Sequence, residues 1–180
     1  LGASSTQIYF THVHNHHRYF RSKRDWSSYL HLNKKTGLLR ILNYLKQSFL
    51  TILKERPQEL KKAQNQKLNQ TIQLERRVLS LFILVSAVIN WKALLFLIFP
   101  SWFFGLIFMF VANLLNHDHC ALDSEHQHSR SFTGSFENWL FFNNGFHWAH
   151  HQNMKTHWVN LPLVHQKNFS KNPQQEVSQT

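Results

Sequence analysis

The chain has 180 residues, enough for one domain with a sizeable core, and a formal net charge of +11. Its single cysteine, Cys120, excludes an intrachain disulfide and with it a secreted disulfide scaffold. Positive charge alone would suit nucleic acid, but no nucleic-acid module is visible, and the aromatic residues gather in an apolar block flanked by basic segments, so a membrane is the expected partner.

In chain order, residues 1 to 37 are polar and basic and contain His12, His14, His16 and His17. The chain opens on Leu with no signal peptide, and is expected to be a fragment or an incomplete gene model. Leu38, Leu39, Leu42, Leu45, Phe49, Ile52 and Leu53 recur at helical spacing among Arg40, Lys46 and Lys54, which predicts an amphipathic helix lying in the membrane interface. Pro57 is expected to end it, and the polar, helix-favouring residues 58 to 77 predict a solvated helix leading to the bilayer.

From Val78 to Asn116 the chain is apolar for 39 residues, with Lys92 its single charge. One span needs roughly 20 residues, so the block predicts a tight transmembrane hairpin over about 78–116. Two turn positions compete, Asn90-Trp91-Lys92 and Phe99-Pro100-Ser101. Of the 20 Lys and Arg residues, 15 precede Val78, one is Lys92 and four follow the block. Both flanks are therefore expected on the cytoplasmic face, with the N- and C-terminal histidines on one side of the membrane, as a shared metal site requires. Residues 166 to 180 predict a disordered tail. The expected fold is an all-α integral membrane protein: a transmembrane helical hairpin, an amphipathic interfacial helix and a cytoplasmic histidine-rich cap.

Fourteen histidines is a large excess, and they cluster. In THVHNHHRY, His12 and His16 stand one helical turn apart with His17 adjacent. In NLLNHDH, Asn113 and His117 share a helix face. In NNGFHWAHH, His147, His150 and His151 fall at i, i+3 and i+4 and point the same way. This convergence points to metal, and more imidazoles than one ion needs point to two. Imidazole suits iron, copper, zinc and nickel alike. No His-Glu-x-x-His run of a zinc protease is present, nor the Glu-x-x-His pairs of a carboxylate di-iron bundle.

Around these groups, His119, His126 and His128 fit either the site or a solvated loop. Asp118, Asp123, Glu125 and Glu137 are candidates to orient imidazole N–H groups, and His157 is a further candidate for that outer layer. His14 is balanced between ligand and exposed side chain. Cys120 is expected to be a small buried thiol, and Trp102, Phe103, Phe104, Phe108 and Phe110 to face lipid or pack the hairpin.

These segments resemble the membrane fatty acid desaturase superfamily, whose pattern is three histidine boxes, H-x3/4-H, H-x2/3-HH and H-x2-HH, with a pair of spans before the last. The run from His12 to His17 is similar to the second box, and His147 to His151, as HWAHH, to the last. Asn113 and His117 look like the family's further Asn-x3-His pair. The run from His128 to His165 is similar to the region around the last box in bacterial-type members, and the likeness covers roughly residues 11 to 165.

The resemblance implies a partial desaturase domain over 8–165 and the metal ligands His12, His16, His17, Asn113, His117, His147, His150 and His151. It implies two iron ions as a di-iron centre, and a fatty acyl or other lipid substrate desaturated with O2. It also implies an external electron donor such as a cytochrome b5-like protein or a ferredoxin. Nothing before Gln7 matches the first box; alternatively the run from His12 to His17 is itself the first box and no second one precedes the hairpin, where only His31 remains, so either way the chain is expected to lack about two ligands and to be inactive alone. The physical need for a cofactor is plain, since no side-chain acid or base attacks an unactivated C–H bond.

A lipid or carotenoid hydroxylase or ketolase of the same superfamily stays open, because histidine spacing does not separate it from a desaturase. So does an inactive metal-binding fragment. A membrane metal transporter would place polar groups along both spans, whereas between Val78 and Leu115 the strongly polar residues are Asn90, Lys92 and Asn113.

Overall fold

The computed structural model describes residues 5–20, 22–32, 37–62, 65–120 and 128–169, and every regular element among them is helical. The chain divides into two compact units, Leu1–Leu114 and Leu115–Thr180.

The first unit opens with a short helix α1, Ser5–Tyr9, that runs into π-helical Phe10–His17. A π-turn bonds i to i+5, so residues five apart become neighbours where an α-helix would make them residues four apart. A 3-10 turn, Tyr29–His31, precedes α2, Gly37–Lys62. Contrary to expectation, α2 does not stop at Pro57. The ring removes one backbone N–H, but Ile52 before it and Leu60 after it sink into the same core, which holds the two halves in line.

Buried residues of α2 are Tyr44, Ser48, Ile52 and Leu60, while Leu38, Leu39, Leu42, Phe49, Leu50 and Leu53 stay exposed. Helix α3, Gln66–Ala93, is capped by Asn65, whose side chain accepts from the Leu68 N–H at 2.9 Å. The expected polar helix over 58–77 is thus divided between the ends of α2 and α3.

Beyond Ala93 the chain continues as π-helical Leu94–Ile98 and α4, Phe99–His117. It is not straight. Asn90 has φ −156° and ψ 83°, and its side chain accepts from the Ala93 N–H at 3.0 Å, restarting the helix as a cap. The rings of Phe82 and Trp102 lie 6.1 Å apart, whereas 20 residues of straight helix would separate them by about 30 Å. The chain therefore doubles back at the first of the two candidate turns, and Pro100 lies within the helix that follows, just after its π-helical stretch.

The resulting arms are unequal. Val78–Ile89 is 12 residues, about 18 Å of helix, preceded by Arg76 and Arg77. Phe10, Trp26, Ile52, Leu60 and Ile72 form the core of this unit, with Leu68 and Phe110 packed against it. Away from that core the hairpin is bare: Val88 and Ile89 are 79 % and 78 % exposed, and Phe103, Phe104 and Phe108 are also exposed. The run Gln66–His117 is long and apolar enough to cross a membrane.

The second unit takes in the end of α4, then α5, Ser135–Leu140, α6, His147–Gln152, a 3-10 turn, Trp158–Asn160, and α7, Leu161–Phe169. Trp148, Ala149 and Leu161 form its core, flanked by Phe146 and Val164. The loop before α6 is pinned by Asn138, which donates to the Phe132 and Gly134 carbonyls at 2.8 Å each, and by the Phe132 N–H bonded to the Gly145 carbonyl at 2.8 Å. Helix α7 takes in residues 166–169 of the expected tail, and 170–180 lie outside the described residues.

Candidate metal centre

In the first unit, the π-turn sets which histidines meet. His12 and His17, five apart, bring their Nε2 atoms to 3.2 Å, with ring centroids 4.7 Å apart. His16 stacks beside His12 at 5.4 Å. His16 is buried, and its Nδ1 lies 2.8 Å from Asp25 Oδ2. With the Nδ1–H donated to that carboxylate, the lone pair of the neutral ring falls on Nε2, the state a metal ligand needs.

Asp25 is in turn fixed by Ser27, whose N–H and hydroxyl both donate to Oδ1 at 2.9 Å. Burial pushes the Asp25 carboxyl up, but the hydrogen bonds from His16 and Ser27 hold it below its ordinary value. The Ser27 carbonyl accepts from the Tyr44 hydroxyl at 2.9 Å, and that hydroxyl accepts from Asn113 Nδ2 at 2.8 Å. Asn113 is thereby held through its amide N–H, with its oxygen as the atom suited to a cation.

In the second unit, three Nε2 atoms converge. His147 Nε2 lies 2.9 Å from His117 Nε2 and 3.0 Å from His151 Nε2. His117 Nδ1 faces the His128 carbonyl at 3.4 Å, which again turns the lone pair to Nε2. Two nitrogens bound to one ion at about 2.1 Å and a right angle stand about 3 Å apart, so these separations are those of a ligand set. The donor set fits a transition metal bound by imidazole, and His117, His147 and His151 are one group able to hold it.

His150 is on α6 as expected, half-buried, its ring 5.9 Å from that of His147 and 5.8 Å from that of His151. His128 is 3 % exposed and packs 5.8 Å from the His151 ring, so it belongs to this cluster and not to a solvated loop. Three other candidates have surroundings of their own. His14 is exposed and stacks on Phe10, His119 is exposed beside Asp118, and His157 caps the turn at Val159. Glu137 is an exposed residue of α5, and His126, Asp123 and Glu125 lie outside the described residues. Cys120 is half-buried, and burial raises its thiol pKa.

Sequence reasoning missed Asp25, Ser27, Tyr44 and the burial of His128. A signal for the first existed: Asp25 is the sole acidic residue before Glu55, eight residues beyond His17.

No curated protein matches this chain, and no solved structure does. A family model does match, that of the fatty acid desaturases, over residues 1–180. With a match over its whole length, and histidine groups able to hold metal, the chain belongs to the fatty acid desaturase family.

Proposed function

We propose that this protein is a multi-pass membrane enzyme that desaturates fatty acyl chains. The carrying observation is the trio of Nε2 atoms of His117, His147 and His151, an all-imidazole donor set in a chain of the desaturase family. His12, His16, His17, Asn113, His117, His147, His150 and His151 hold two iron ions. When bound, they supply oxygen activation and removal of hydrogen from an unactivated methylene, with electrons from an external donor such as a cytochrome b5-like protein or a ferredoxin.

The chain's own residues do the rest. Asp25 and the His128 carbonyl fix the tautomers of His16 and His117, so that Nε2 is the donor in each. Trp148 and Ala149, buried in the core of the second unit, lock α6 and so the direction of His147 and His151.

Exposed leucines along α2 and the bare hairpin support immersion in lipid, since apolar area of that extent is not left in water. In this reading the hairpin crosses the bilayer, α2 lies in its interface, and the basic flanks keep the histidines cytoplasmic. The domain is taken as 8–165.

The test is to express the chain in membranes, measure iron per chain, and follow acyl products by mass spectrometry with a reducing system supplied. Iron bound by the wild type and lost in His147→Ala, together with products lighter by two hydrogens, supports the reading. Products carrying an added oxygen make it a hydroxylase, and zinc or no metal overturns the oxygenase.

A further inference from the structure

Between α2 and α3 lies a cavity of about 290 Å³, lined by Pro57, Lys61, Asn69, Gln73 and Arg76 together with the buried Leu60 and Ile72. Its two cations are unlike the other charged groups nearby. Lys62 pairs with Glu59 at 2.8 Å and Lys54 with Glu55 at 3.5 Å, but Lys61 has no ion pair among the described residues. Arg76 is held by Gln7, whose side-chain oxygen accepts from Nε and Nη2 at 2.7 Å each, a neutral partner that leaves the charge uncompensated. The acid beside it, Glu75, is bound by Thr6, through its N–H at 3.1 Å and its hydroxyl at 2.8 Å.

A second guanidinium, Arg56, stands near enough to Arg76 for repulsion, and its Nε is buried with no hydrogen-bond partner among the described residues. Burial, and after it the Arg76 charge, push the Arg56 pKa down.

We propose that this cavity seats the phosphate headgroup of an anionic membrane lipid, with the phosphate on Arg76 and Lys61 and the first apolar carbons on Leu60 and Ile72. Position favours a lipid over a soluble phosphate. Arg76 lies two residues before Val78, where the apolar arm begins. That arm is about 18 Å long, shorter than the roughly 30 Å of bilayer hydrocarbon, so its base is drawn to the level of the headgroups. An amphipathic cavity, lined by cationic and by apolar side chains, matches a molecule that is anionic at one end and apolar at the other. The proposal rests on the membrane reading above.

The test uses the full chain in neutral detergent, titrated with phosphatidylglycerol or phosphatidylcholine, and reads retained lipid by native mass spectrometry and thermal shift. Phosphatidylglycerol should be retained and raise the melting temperature, with phosphatidylcholine and inorganic phosphate having little effect. The Lys61→Gln, Arg76→Gln double variant should bind it roughly tenfold or more weakly, the effect of losing charge-assisted bonds. The Lys54→Gln, Arg77→Gln variant, equal in charge but outside the cavity, should bind as wild type.

Should the double variant fail to fold, Lys61→Gln alone, an exposed change, should still weaken retention several-fold. Equal losses in both double variants, no preference for phosphatidylglycerol, or an equal shift with inorganic phosphate would each overturn the proposal. Carbonate extraction separates the two readings: a chain washed off membranes fails the membrane reading, whereas one that stays in membranes without that preference fails only this one.

Discussion

Replacing Asp25 tests whether the carboxylate orders a metal ligand or merely fills a buried space. The side chains of His16 and Asp25 are 3 % and 4 % exposed and 2.8 Å apart, so water cannot easily replace the lost partner. Removing one member of such a pair costs about 1–3 kcal/mol in the unsatisfied imidazole N–H. Outer partners of ligating histidines command about 10–100-fold in metal affinity. That factor corresponds to about 1.4–2.7 kcal/mol of metal-binding free energy, separate from the cost to the fold.

Asp25→Ala should therefore weaken metal binding by that factor, and Asp25→Asn by less, because an amide oxygen can still accept from Nδ1–H. The assay is a competition titration against a chromogenic chelator, with the melting temperature of the metal-free protein measured in parallel. A variant that melts earlier yet binds metal within twofold of wild type would refute the orienting role and leave Asp25 as a packing residue.

Four further outcomes follow from the same geometry. His147→Ala removes the nitrogen shared by His117 and His151, and should cost more metal affinity than any outer-layer change, read as metal per purified chain. His14→Ala, which alters an exposed ring stacked on Phe10, should leave metal content unchanged. Gly145→Ala would put a Cβ against the Phe132 carbonyl and 2.7 Å from Asn138 Oδ1, so it should destabilise the chain by about 1–3 kcal/mol in a thermal melt. Tyr44→Phe deletes a hydroxyl, on a side chain 1 % exposed, that links Ser27 to Asn113; it should cost about 1–3 kcal/mol, and a melting temperature equal to wild type would refute the link.

The legible part of this protein was its local spacing. The HWAHH run states its own geometry, because positions i and i+4 on any α-helix meet, and His147 and His151 do so on α6. Hydrophobic length announced the hairpin, and Asn90-Trp91-Lys92 stood as one of its two candidate turns. What was not legible depended on backbone that departs from the α period or on contacts distant in sequence. The pairing of His12 with His17 requires a π-turn, where α spacing would have paired His12 with His16. His128 fits a site and a solvated loop equally well in the sequence, and its packing against His151 decides between them.

The same distinction explains why Pro57 misled. A proline rule is a statement about one hydrogen bond and one steric clash, worth about 3 kcal/mol in an isolated helix. Ile52 and Leu60, buried on either side of it, each contribute roughly 1.5–3 kcal/mol by leaving solvent, and they do so only if α2 continues. Tertiary burial therefore exceeds the local penalty. The continued helix places Leu60 and Lys61 opposite Ile72 and Arg76, so the cavity proposed as a lipid seat exists because that proline was overridden. Substituting Pro57 by Ala should raise stability while leaving phosphatidylglycerol retention intact; a loss of retention would mean that the proline itself shapes the cavity.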